Sequence, residues 1–268
     1  MLLSIRHETV YHYTSALTYT IQQLRLSPRP DPHQRVQTWD VRTAGRRNEF
    51  VDAYGNIGHM LTITGLHDEV RILARGTVSI DPLDRGRLPG GSILSPLVFT
   101  VPTRLTQPDD GITEFAMRHA QTNARAATLL GLAEAIRASV GYRTGATEVT
   151  TSAADALCLG QGVCQDHAHL FLSCCHVHGI PARYVSGYID PGDTEHAASH
   201  AWVDVWVEEV DFSGWISIDV THACFTGETH CRLAIGRDYD SAAPVRGVRH
   251  GGGIESLTVS VDVSPILS

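Results

Sequence analysis

The chain of 268 residues contains no lysine; all 21 of its basic side chains are arginine. Without lysine it has no side-chain amine of its own to accept an acyl group. Acidic residues outnumber basic ones, giving a formal charge of −8, and no basic run occurs. Nucleic acid and anionic membrane surfaces are therefore not expected as partners. No apolar run is long enough to cross a bilayer. The opening residues, Met1-Leu2-Leu3-Ser4-Ile5-Arg6-His7-Glu8, lack the basic start and long apolar core of a secretory signal, so a cytoplasmic location is expected. No Cys-x-x-Cys, His-Glu-x-x-His or EF-hand pattern appears, and no cofactor or metal is expected. Cysteine is absent before Cys158, and the six from there on, Cys158 included, are expected to be free thiols in a reducing compartment.

What is present divides the chain in two. Residues 5–13, 21–26, 37–43, 48–52, 57–64 and 70–80 are short runs rich in Val, Ile, Thr and Tyr, several alternating with polar positions. That period of two predicts half-buried strands, and residues 1–100 read as a β-rich, sandwich-like domain. A Pro- and Gly-rich stretch over 82–108 follows as linker or crossover. Helical spacing then marks 113–121 and 128–140, a short helix capped by Ser152, and a helix from Cys164 to His178 stopped by Gly179 and Pro181. Strands are predicted at 182–189, 200–208, 215–220 and 257–263. Helices precede strands instead of alternating with them, so 101–268 is predicted to be an α+β core.

The chemistry concentrates at Cys164, in Gly160-Gln161-Gly162-Val163-Cys164-Gln165-Asp166-His167. A glycine-bounded turn ends and a helix begins almost on the thiol. There the unpaired N–H groups and the positive end of the helix dipole favour a thiolate. Gly162 allows close backbone approach by a substrate, and the Cys164 N–H can donate to a developing oxyanion. Further on, His200, Trp202, Asp204 and Trp206 alternate with Ala201, Val203, Val205 and Val207. The valine face is expected to be core and the His200 face partly open, as a general base requires. Asp219 stands in an apolar strand and needs a partner, which His200 would supply. Cys, His and Asp in this order suit a nucleophile, its base and the base's orienter. Tyr188 and Trp202 are expected to line an apolar-walled substrate cleft. The rival reading is a zinc site, since Cys164–His167 and Cys174–His178 share helix faces at three- and four-residue spacing.

The segments GVCQDHAHL, GIPARYVSGY, SHAWVDVW and GWISIDVTH resemble the transglutaminase-like core superfamily, a branch of the papain-like cysteine enzymes. The N-terminal strands and the tail IGRDYDSAAPVRGV resemble its bacterial subgroup. The resemblance implies a helix carrying the Cys packed on an antiparallel sheet. It also implies Cys164 as nucleophile, His200 as general base and acid, and Asp219 as orienter. Two positions depart from the usual pattern: His167 stands where an aromatic is common, and Val220-Thr221-His222 replaces a more usual Pro-Thr-Asn. The expected activity is hydrolysis of amide or isopeptide bonds in a peptide or protein substrate through a thioester. The alternatives are acyl transfer to an amine and a catalytically silent peptide-binding module.

Overall fold

The computed structural model describes residues 1–91, 94–122, 124–190, 192 and 199–266. The chain opens with four strands: β1 (Leu2–Leu24), β2 (Gln34–Thr43), β3 (Arg46–Val51) and β4 (Ile57–Ile80). Next come α1 (Asp110–His119), α2 (Ala126–Ser139), β5 (Gly141–Tyr142), α3 (Ala153–Leu159), β6 (Gln161–Gly162) and α4 (Cys164–Val177). Strands β7 (Ala182–Ile189), β8 (Ser199–Glu208), β9 (Ser213–Asp219), β10 (Cys224–Phe225) and β11 (His230–Gly236) follow. The chain closes with α5 (Tyr239–Ala242), β12 (Val245–Gly251) and β13 (Glu255–Pro265).

The first sheet is built on two long antiparallel strands, β1 and β4. Sequence patterning predicts two strands in place of each. The exposed segment Thr14-Ser15-Ala16 carries a register break instead of a turn, so β1 continues through it. Each half of these long strands has its own neighbour: β13 and β12 flank β1, and β3 and β2 flank β4. Tyr13, Leu17, Val41, Leu61, Ile63 and Ile72 form one core from both halves, so the sheet folds over itself in a sandwich-like unit. Because β12 and β13 return to this sheet, the division at residue 100 is corrected. The end of the chain belongs with its beginning, held by an eleven-residue register from Leu3↔Pro265 to Tyr13↔Glu255.

The second sheet has the order β10-β9-β8-β7-β11 and is antiparallel throughout. Its edge strand β11 has no alternating signal in the sequence because all seven residues are buried. One face of the sheet is apolar. Ala201, Val203, Val205, Ile216 and Ile218 pack there against Leu170, Phe171 and Cys174 of α4, and α1 and α2 add Ile112, Leu129, Leu132 and Ile136 behind the helix.

The other face lies under the first domain. Tyr54, after β3, packs on Val185, Trp202 and Ile235 of that face, while Leu3, Ile5, Val78 and Ile80 of β1 and β4 pack on Tyr188, Cys231 and Leu233 at the β7–β11 edge. Gln34 donates to the Arg232 carbonyl at 2.9 Å, and Asn56 donates to the Ile235 carbonyl at 2.8 Å. The expectation of a partly open His200 face is thereby corrected: His200, Trp202 and Asp204 are all buried. Strand periodicity sets which residues share a face but not what covers it.

Candidate active site

Helix α4 begins on Cys164 because Asp166 closes its first turn. The Asp166 carboxylate accepts from the Val163 N–H at 2.8 Å and from the Thr147 hydroxyl at 2.6 Å. Burial raises the Asp166 carboxyl above its ordinary range, against the pull of those two hydrogen bonds. Gly162 is needed for this closure, since a Cβ there would lie 2.7 Å from the Asp166 side chain. Its carbonyl accepts from the Arg143 N–H at 2.7 Å where β5 and β6 pair. Cys164 itself is half-buried, the least covered residue of the helix's first three turns.

His200, at the start of β8, is hydrogen-bonded on both sides. Its Nε2 lies 2.9 Å from Asp219 Oδ2, and its side chain also bonds Cys164. Burial alone would lower the imidazole. The Cys164 charge, with the Asp219 and Cys164 hydrogen bonds, outweighs it and raises His200 to about 10. Asp219 is fully buried, yet its carboxyl is held well below the usual range, because hydrogen bonds from His200, His222 and His230 overcome the cost of burial.

Three histidines converge on Asp219 Oδ2: His200 at 2.9 Å, His222 Nδ1 at 2.6 Å and His230 Nε2 at 3.2 Å. The His222 N–H adds a bond to Oδ1 at 3.1 Å. His230 escaped the sequence reading because only the placement of β11 beside β7 brings it near Asp219; no local pattern signals it. Among the described residues, His200, Asp219 and His222 are the group whose ligand atoms lie within 4.8 Å of one another and so could hold a cation.

His167 is placed elsewhere. Its Nε2 donates to the Val140 carbonyl at 2.8 Å, and its Nδ1 lies 3.1 Å from the Thr221 hydroxyl, which leaves Nδ1 as the acceptor. It ties α4 to the end of α2 and to the turn after β9, so the Cys164–His167 pair does not form a ligand set. The six cysteines are free thiols, and burial pushes Cys174 up to about 12.

The expectation that Tyr188 and Trp202 line a substrate cleft is corrected. Tyr188 is fully buried and hydrogen-bonded to His7 of the first domain at 2.8 Å. Trp202 is equally buried, packed with Val185 and Ile235 and edge-on to His230 at 5.4 Å. Gly187 makes room for it: a Cβ there would lie 2.4 Å from the indole ring. Tyr142 stands nearer the thiol. Burial first, and then the Cys164 charge, raise its hydroxyl to about 12.

Comparison with known proteins agrees with this architecture. The profile of the transglutaminase-like superfamily matches residues 113–220, and that of the bacterial transglutaminase-like N-terminal region matches residues 3–79. The uncharacterized protein ML0607 of Mycobacterium leprae (strain TN) is 30% identical, with 98% of each chain covered. The uncharacterized protein Rv2569c of Mycobacterium tuberculosis (strain ATCC 25618 / H37Rv) is 29% identical, covering 97% of this chain and 92% of its own. The crystal structure of a candidate cysteine protease from Cytophaga hutchinsonii superposes with a TM-score of 0.79 at 22% identity, covering 100% of this chain and 91% of that one. That likeness concerns the fold. The chain belongs to the transglutaminase-like superfamily, with a bacterial transglutaminase-like N-terminal region joined to the core.

Proposed function

We propose that the protein is a thiol-dependent hydrolase of amide or isopeptide bonds in peptides, acting through Cys164, His200 and Asp219. The observation that carries this reading is the doubly bonded His200. It spans Cys164 and Asp219 and holds its proton through the neutral range. With Nε2 turned to Asp219, Nδ1 is the nitrogen available to the sulfur.

In the first half-reaction the Cys164 sulfur adds to the amide carbonyl carbon. The oxyanion forms at the start of α4, where the Cys164 N–H can donate. The C–N bond breaks as His200 gives its Nδ1 proton to the leaving amine, and a thioester remains on Cys164. In the second half, water adds to the thioester carbonyl while His200 takes its proton. The carboxylic acid departs, and the proton stays with the Cys164–His200 pair. Asp219 fixes the imidazole's tautomer and direction throughout.

Mass spectrometry of the protein exposed to a peptide library tests this reading. A trapped acyl group on Cys164 is expected, with free acid as the main product even under excess primary amine. A predominantly amine-linked product would move the assignment to acyl transfer by the same three residues. No acyl adduct on Cys164 with any peptide, together with unchanged turnover in Cys164→Ala, would end it.

A further inference from the structure

Away from the thiol, the seam between the two domains holds a buried charge network that does not balance. Arg29 donates to Asp31 at 3.0 Å, Arg232 to both Asp31 and Asp204, and Arg183 to Asp204 at 2.8 Å. Three arginines thus face two aspartates, leaving one positive charge over. All three arginines are buried, and Asp204 is fully enclosed. The neighbouring Arg25–Asp52 pair is neutral in itself and does not correct the sum. An unmatched charge away from water is costly unless an opposite charge approaches it.

The surplus falls beside a cavity of ≈ 50 Å³ lined by Arg29, Asp31, His33, Phe99, Arg183 and Trp215, among others. Trp215 is 3% exposed, and its indole N–H has no acceptor. His33, 5% exposed, has an unpartnered Nδ1. Arg183 commits its Nε to Asp204, and its guanidinium lies 4.2 Å from the Trp215 ring centroid. Arg183 carries the strain of the imbalance: burial, and then Arg232, pull it down to about 10 despite Asp204. Asp31 is the carboxylate in the lining, and both its oxygens are already held, by Arg29 and Arg232. A buried donor without an acceptor is rare in native proteins, and the Trp215 N–H beside surplus positive charge points to a missing acceptor.

We propose that this cavity binds one small monovalent anion of halide size, held between Arg183, Arg29 and the Trp215 N–H at the seam of the N-terminal sheet and the core. One surplus charge matches a monovalent ion. The volume suits a group a few times larger than the least a water requires. The ion would complete the interface that covers the polar face of β7, β8 and β9, the face that also carries His200.

Anomalous diffraction from crystals grown in bromide tests the wild-type protein directly. A bromide peak in the cavity within hydrogen-bond distance of Arg183 or Trp215 Nε1 is the expected result. In solution, the unfolding midpoint should rise saturably with chloride or bromide at constant ionic strength set by a bulky organic anion. Trp215→Phe keeps the ring over Arg183 but removes the N–H, and should weaken the apparent halide affinity about tenfold. Water or a protein group filling the cavity in the bromide crystals would overturn the proposal. So would identical halide responses in the wild type and in Trp215→Phe.

Discussion

The two faces of the core sheet are written by the same strands yet work in opposite ways. On the α4 face, Val203, Val205, Ile216 and Ile218 bury aliphatic side chains against a helix. On the other face, one residue away along each strand, stand His200, Asp204, Ser217 and Asp219, all buried as well. The apolar face is stabilised by area removed from water and tolerates small changes of shape. The polar face is stabilised only while every charge has its partner, because a buried charge left alone costs far more than a lost methylene. The alternation that makes a strand half-hydrophobic therefore supplied room for the His200–Asp219 pair beside Cys164, provided the first domain covers the rest of that face.

The largest difference between the faces is expected in catalysis. Cys164→Ala should lower turnover by at least ~10⁴-fold while leaving the protein folded, since alanine suits a helix start and Cys164 is only half-buried. Substitution of the core thiols Cys174 or Cys175 by alanine should leave turnover measurable, and peptide hydrolysis assays on the three variants decide this. His200→Ala comes next, with a loss of ~10²–10⁴-fold from missing acid–base catalysis. A variant with full activity would show that another histidine serves the thiol.

Stability separates the faces more finely. Asp204→Asn leaves Arg183 facing no full charge and Arg232 only Asp31, and should cost about 3–5 kcal/mol in denaturant unfolding. Ile218→Val, one strand over on the apolar face, should cost only about 0.5–1.5 kcal/mol. Equal costs would erase the contrast between charge pairing and aliphatic packing.

The smallest effect lies in pH dependence. His200 is raised to about 10, so its stabilising contribution is complete below the ordinary histidine range near ~6.5 and is lost as pH rises through the folded value. Asp204 and Asp219 have depressed values, so their contributions are present above the ordinary carboxylate range and fall away only in acid. Alkylating Cys164 with a neutral group should flatten the alkaline limb and leave the acid limb in place. Thermal midpoints measured across pH on both forms show whether the two limbs separate.

Much of the site was legible because its signals are local. A thiol at a helix start needs only its own turn, Gly160 to Asp166, to be recognised. His200 and Asp219 each announce themselves as polar residues in strands that are otherwise apolar. Trp202 misled because parity sets which face it occupies and not what covers it, and Tyr188 because no local pattern reveals that Leu3, Ile5 and His7 of β1 pack around it. His230 and Arg232 carried no signal at all, since β11 is buried along its whole length and shows no alternation.

The periodicities and the helix start at Cys164 were readable from the chain alone because each depends on residues a few positions apart, and the order of Cys164, His200 and Asp219 because it needs no contact to be seen. Tertiary structure alone decided that β12 and β13 close the first sheet, that three histidines share the Asp219 carboxylate, and that three arginines meet two aspartates at the seam. Those arrangements join residues as far apart in the chain as Leu3 and Pro265. They arise from long-range strand pairing and domain docking, which no window along the chain contains.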